Sequence, residues 1–175
     1  AVHSRFEHSL GVYLNALLYL QQMARYDDVL RVMDPQEAEC FLVSALLHDV
    51  GHWPYCHPIE DLQLAGWPVH EETAARFLES DELRGCLQQD WGLTPQNVLD
   101  LLNKRGHTPG QRLLSSILSG PIDVDKLDYL YRDSLHAGVP YGRQFDTQRV
   151  IASLCLNATG DGIAILEKGR TAAEL

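Results

Sequence analysis

The stretch Ala45-Leu46-Leu47-His48-Asp49-Val50-Gly51-His52 constrains this chain more than any other. An apolar run delivers an imidazole and a carboxylate as neighbours, and the glycine is expected to break the helix behind them. Adjacent helical residues point about 100° apart, so they seldom serve one solvated face. In the last turn before a break, both can converge on a single point. A neutral imidazole beside a carboxylate at a buried helix end suits a divalent cation. The competing reading is an ordinary helix terminus, with His48 near the C-terminal carbonyls and Asp49 in water.

Two further segments weigh on that choice. His8 lies in Arg5-Phe6-Glu7-His8-Ser9-Leu10-Gly11, and Asp125 in Ile122-Asp123-Val124-Asp125-Lys126-Leu127-Asp128-Tyr129, each flanked by apolar residues. Together with His48 and Asp49 they complete a His2Asp2 donor set. Such a set is a chemical site and not a surface.

Helical spacing dominates the rest. Phe6, Leu10, Tyr13, Leu14, Leu17, Leu18 and Met23 predict a long helix from about Ser4 to Arg25. Asp34 and Pro35 read as the cap and first residue of the helix that ends at His48 and Asp49. Gly51 to Pro58 carries two prolines and two histidines; this irregular stretch reads as a pocket wall presenting His52 and His57. Glu60 follows, with a short helix to Gly66. His70 opens the next helix, where a plain helix-start histidine is a serious competitor. Pro95 and Pro109 each start a helix, and Lys104-Arg105-Gly106-His107 between them reads as a solvated loop or a small anion contact. Asp123 caps a helix to about His136, on which Asp125, Tyr129 and Asp133 share one face and Lys126 lies beside it. Asp146 caps a last helix through Leu154, and Gly162 to Leu166 is a strand, half of a small hairpin. The fold class is therefore all-α, with a small β-hairpin near the C-terminus.

Composition narrows the partners. With 175 residues, 45% of them hydrophobic, the chain can bury one sizeable core, and residues 1–175 read as a single domain. A net charge of -10 disfavours extended nucleic-acid binding, while a small anionic substrate remains open to a metal and a few local cations. Cys40, Cys56, Cys86 and Cys155 show no CxxC pairing and read as reduced cysteines. No run of 18 apolar residues is present, so no membrane partner and a cytoplasmic location are expected. The abrupt opening at Ala1-Val2-His3 and the fresh helical start at Thr171 to Leu175 suggest a fragment that lacks both flanks.

The ordered motifs resemble a known family. Arg5 to Val12, Leu46 to His52, His70-Glu71, Asp123 to Tyr129, Arg132-Asp133-Ser134 and Gly138 to Gly142 are similar to HD-domain phosphohydrolases, closest to the deoxynucleoside triphosphate triphosphohydrolases. The resemblance runs from Val2 to about Ile151 and implies an HD-domain helical bundle. It implies His8, His48, Asp49 and Asp125 as metal ligands, and His52, His57 and His70 as catalytic histidines. Glu60 stands where the family commonly has a shorter Asp. Phosphate and sugar contacts would fall on Arg5, Lys126, Tyr129 and Asp133. The implied reaction takes a dNTP and water to deoxynucleoside and triphosphate, with Mn, Fe, Zn, Ni or Mg as the ion and a homo-oligomer as the assembly. Another nucleotide or short oligonucleotide as substrate, or a non-catalytic nucleotide-binding module, are the alternatives. The family's later nucleotide-contacting helix lies past the end of this sequence.

Overall fold

A computed structural model describes residues 3–143 and 146–166, apart from the side chains of Glu71 and Arg143. The helical start expected at Thr171 lies outside the described residues.

The first helix, α1 (Arg5–Met23), is the axis of the structure. Val12, Ala16, Tyr19 and Met23 recur at its helical period and are buried to 1% exposure or less. Burying side chains of this size contributes roughly 1.5–3 kcal/mol each for the larger ones. Ser4 caps the helix, and Glu7 completes a capping box with it. On two sides α1 packs against α3 (Pro35–Leu47) and α9 (Val124–Ala137). Asp34 and Asp123 are the respective N-caps, as their sequence positions imply. That sandwich brings His8 of α1, the end of α3 and the start of α9 to one point.

The remaining helices close the bundle: α2 (Asp27–Val32), α4 (Cys56–Glu60), α5 (His70–Leu78), α6 (Asp81–Trp91), α7 (Pro95–Leu102), α8 (Pro109–Leu118) and α10 (Thr147–Ala152). Strands β1 (Leu154–Leu156) and β2 (Ile163–Ile165) pair antiparallel, with Cys155 opposite Ala164. The all-α expectation with one small hairpin is met. Among the described residues no helix is long and apolar enough to cross a membrane. All four cysteines are free thiols.

Several local expectations are corrected. The short helix near Glu60 ends at that residue, at Cys56–Glu60, and no helix runs on to Gly66. Pro58 fits there because it lies in the first turn, where its missing N–H costs no helical bond. Leu154 belongs to β1 and not to the preceding helix, which stops at Ala152. Gly51 does not end α3, whose last residue is Leu47 with His48 as its cap. The glycine serves a close approach: a Cβ there would lie 2.2 Å from the backbone oxygen of His70 and 2.7 Å from the amide nitrogen of Ala74.

Two buried groups make the fold sensitive to alkali. Burial raises the Cys40 thiol to about 11, against an opposing hydrogen bond from Ser44. Burial also raises the phenol of Tyr19, and the charge of Asp123 adds to it. That hydroxyl donates to the Ile122 carbonyl at 3.0 Å. Both groups hold their protons more tightly folded than unfolded, so stability is complete below the unfolded thiol value of roughly 8.5 and falls as pH rises beyond it. Thermal unfolding followed from pH 7 to 11 is expected to show a flat Tm that declines above about pH 9. The Tyr19→Phe variant should decline less steeply above about pH 10; an identical slope would contradict the assignment.

Candidate metal centre and histidine pocket

His8 sits in the second turn of α1, 8% exposed, and its Nδ1 lies 2.7 Å from Oδ2 of Asp128. A carboxylate only accepts, so Nδ1 carries the proton and Nε2 turns its lone pair outward. Asp128 is itself held by Arg132, whose Nε and Nη2 each donate at 2.8 Å. His48, at the end of α3, is fixed in the same tautomer because its Nδ1 donates to the Ala45 carbonyl at 2.9 Å. The two Nε2 atoms therefore face one another at 3.2 Å.

Carboxylates surround that meeting point. Asp125 Oδ1 lies 3.1 Å from His8 Nε2 and 3.6 Å from His48 Nε2. Asp49 Oδ1 lies 3.5 Å from His48 Nε2, and its Oδ2 lies 4.0 Å from His8 Nε2. Two Nε2 atoms facing each other among carboxylates draw a positive charge to that point, a proton in the metal-free site or a cation in its place. The electrostatics of the groups point the same way. Burial would lower the His8 value, but hydrogen bonds and charge from Asp125 and Asp128 outweigh it and lift the imidazole to about 9. His48 is raised likewise against its burial, through Asp125 and Asp49. Burial opposes ionisation of Asp125, yet hydrogen bonds from His48 and His8 hold it well below the usual carboxylate range. The donor set calls for positive charge and fits a divalent ion of N/O preference. His8, His48 and Asp49 bring their ligand atoms within 4.8 Å of one another. Asp125 adds the fourth donor by the distances above.

A second group adjoins the first. His52 Nδ1 is 3.3 Å from Asp49 Oδ1 but is not aligned to bond it. The His52 ring stacks on His70 at 4.5 Å, and its Nε2 is 3.2 Å from Nε2 of His57. Glu60 accepts from the His70 backbone N–H at 2.6 Å and lies 2.9 Å from its Nδ1. Burial lowers the His52 value, helped by His70, His57 and Arg5, with Asp49 opposing. Burial would raise Glu60, but the backbone N–H and imidazole of His70 lower it. The pocket thus pairs one neutral imidazole with an ionised carboxylate beside His70.

These groups line a cleft of about 260 Å³: His48, Asp49, Asp125, His52, His57 and His70 form its polar side. Ala74, Leu99, Leu102 and Leu118 form an apolar wall, with Asn103 and Ser119 at its margins.

The four expected substrate contacts stand apart from that cleft. Arg5 leans on the turn behind the metal point, with Nη1 3.5 Å from Asp49 Oδ2 and Nη2 donating to the Trp53 carbonyl at 3.4 Å. Lys126 is tethered by its Nζ to Asp123 Oδ2 at 2.5 Å and the Gly120 carbonyl at 2.8 Å. Asp133 is exposed and 3.7 Å from His3 Nε2, and Tyr129 is half-buried. The sequence gives no role to Asp128 or Arg132. Their i, i+4 spacing signals an ion pair. Only the fold shows that the pair orients His8.

The comparisons with known proteins agree with the geometry. A family model described as HD domain matches residues 5–132. YwfO, an uncharacterised protein of Bacillus subtilis, is 36% identical over 99% of this chain. The mouse deoxynucleoside triphosphate triphosphohydrolase SAMHD1 is 28% identical over 89% of it. The crystal structure of a phosphohydrolase from Bacteroides thetaiotaomicron superposes with a TM-score of 0.73 at 28% identity, covering 97% of this chain. This chain spans 38% of the length of YwfO, 28% of the mouse enzyme and 39% of the crystallised phosphohydrolase.

Proposed function

The chain belongs to the HD-domain family, and from that premise we propose that it is a metal-dependent phosphohydrolase that cleaves a dNTP to deoxynucleoside and triphosphate. The observation that carries the reading is the pair of Nδ1-anchored imidazoles, His8 and His48, whose Nε2 atoms meet at 3.2 Å between two carboxylates. Deoxynucleoside triphosphate is the substrate named for a 28% identical relative, and it supplies the finer half of the proposal.

His8, His48, Asp49 and Asp125 would hold the ion, which when bound would polarise a phosphoryl oxygen and acidify water. The other residues position and move protons. In the reaction, the oxygen of water bonds to the α-phosphorus and gives up a proton to solvent, the P–O5′ bond breaks, and O5′ leaves with the electron pair and takes a proton. His57 is the group assigned to that proton, because its imidazole lines the cleft and is exposed at its mouth, where it can reach a leaving oxygen. Glu60 fixes the His70 ring through Nδ1, and stacking passes that orientation to His52. Arg5 braces Asp49.

The tether on Lys126 favours the runner-up, an HD phosphohydrolase acting on a different nucleotide. Product analysis separates the readings. The metal-loaded protein incubated with dGTP is expected to yield deoxyguanosine and inorganic triphosphate, resolved by ³¹P NMR. Orthophosphate or pyrophosphate would select the runner-up, and no product would leave a nucleotide-binding module. The His57→Ala variant should lose roughly 10²–10⁴-fold in kcat while retaining its metal; undiminished turnover would remove His57 from the chemistry.

A further inference from the structure

The histidine cleft does not end at its apolar wall. Leu102 and Asn103 also line an open groove of about 640 Å³, whose other residues are Val69, Glu72, Lys104 and Arg105. The two spaces share that edge, so the groove continues the cleft outward. Its floor is the chain immediately after α7, where two consecutive cations stand in a protein of net charge -10.

Both cations are unspent. Neither side chain forms an ion pair or a hydrogen bond with any described residue, and both are exposed. The obvious structural task for them would be to neutralise the negative end of α7. The backbone performs that task already. The Leu99, Asp100 and Leu101 carbonyls accept from the N–H groups of Asn103 at 2.9 Å, Arg105 at 2.7 Å and Lys104 at 3.3 Å. This wrap puts Lys104 at φ +56, a left-handed conformation that non-glycine residues seldom adopt. Strained positions persist where the surrounding bonds enforce them. Here they turn Lys104 and Arg105 into the groove. The Asn103 side-chain amide, at the junction of the two spaces, is likewise without a partner among the described residues.

The expected phosphate contact on α9 does not serve this role, because Lys126 is tethered to Asp123 and Gly120 away from the cleft. We propose that Asn103, Lys104 and Arg105 form an outer phosphate subsite, which receives a phosphate group beyond the one attacked at the histidine cleft. The inference rests on the phosphohydrolase reading and deepens it: the substrate class is a nucleotide bearing at least two phosphates. Two sources supply that chemistry, the tail of a nucleoside triphosphate or the next phosphodiester of a short oligonucleotide. Glu72, the carboxylate in the groove, opposes the two cations and limits how tightly a phosphate is held.

The test compares the metal-loaded protein with its Lys104→Ala/Arg105→Ala variant by calorimetric titration with inorganic tripolyphosphate and with orthophosphate. Removing two charge-assisted contacts is expected to weaken tripolyphosphate about tenfold or more and to leave orthophosphate unchanged. A Glu72→Gln variant should bind tripolyphosphate more tightly than the parent. With substrates, KM should rise while kcat holds, for dGTP if the tail occupies the groove and for a 5′-phosphorylated dinucleotide if a phosphodiester does. Equal binding of tripolyphosphate by parent and variant, with unchanged KM for both substrates, overturns the subsite. Because tripolyphosphate binding needs no turnover, a parent protein that hydrolyses nothing would sink the hydrolase reading and still decide this one. All substituted side chains are exposed, and a Tm unchanged from the parent verifies that folding is not the cause.

Discussion

A protein in which His48 and Asp49 are both replaced by alanine is expected to bind no stoichiometric divalent metal. The parent, loaded with Mn and desalted, should retain about one ion per chain by elemental analysis, as a set of four N/O donors does. The pair supplies one imidazole and one carboxylate of that set, and His8 and Asp125 alone leave two donors. Hydrolysis should fall by at least about 10³-fold, the scale of several kcal/mol of lost charge stabilisation. The double variant is also expected to fold. His48 and Asp49 lie at the end of α3, outside the apolar core, and their removal leaves the hydrophobic interior intact. If the variant keeps its metal, or the parent binds none after Mn is added, the His2Asp2 centre is refuted.

Binding should also release protons. With His8 lifted to about 9 by Asp125 and Asp128, the metal-free site carries a proton that an ion must displace. The same two carboxylates divide the work differently once an ion is present. Asp125 becomes a donor to it, while Asp128, anchored by Arg132, continues to orient His8 from behind. Partners of this second kind typically change metal affinity by about 10–100-fold when removed.

The parts of this site legible in the sequence are those whose local signals agree with their tertiary role. The Asp34–Pro35 and Asp123 caps set the start of α3 and α9, and from there helical period carries His48 and Asp125 to their places. His8 follows from the apolar stripe of α1. The remainder depends on encounters between distant segments. Asp128 reads as one more acid on a polar helix until α1 lies against it. Lys126 reads as a free cation because its competitor, the Asp123 carboxylate, reads as a cap and nothing more; it does both. Leu154 reads as the end of a helix because an apolar residue there fits either period, while the structure gives it to β1. Lys104 and Arg105 lie in a loop whose relation to the cleft is set by the docking of α5 on α7.

Gly51→Ala is expected to be strongly destabilising. The added Cβ would stand 2.2 Å from the His70 carbonyl oxygen and 2.7 Å from the Ala74 nitrogen, both backbone atoms of α5. No rotamer change relieves such a clash, so α5 must move away from the turn that carries Asp49 and His52. Overpacking a rigid contact costs typically about 1–3 kcal/mol and more where backbone must shift. A loss near the top of that range, visible as a Tm decrease of several degrees, is expected. Displacement of His70 would also break its stack on His52, so turnover should drop in the fraction that remains folded. Gly11→Ala supplies the contrast. Its Cβ would meet the Asp128 carboxylate at 1.8 Å and Arg132 at 2.5 Å, which are side-chain atoms able to swing aside. That variant should lose less stability and instead weaken metal binding, because Asp128 leaves the Nδ1 of His8. Denaturant unfolding and metal titration on both variants separate the two effects. Equal stability losses with intact metal affinity in each would show that the glycines fill space and do not bring these segments into register.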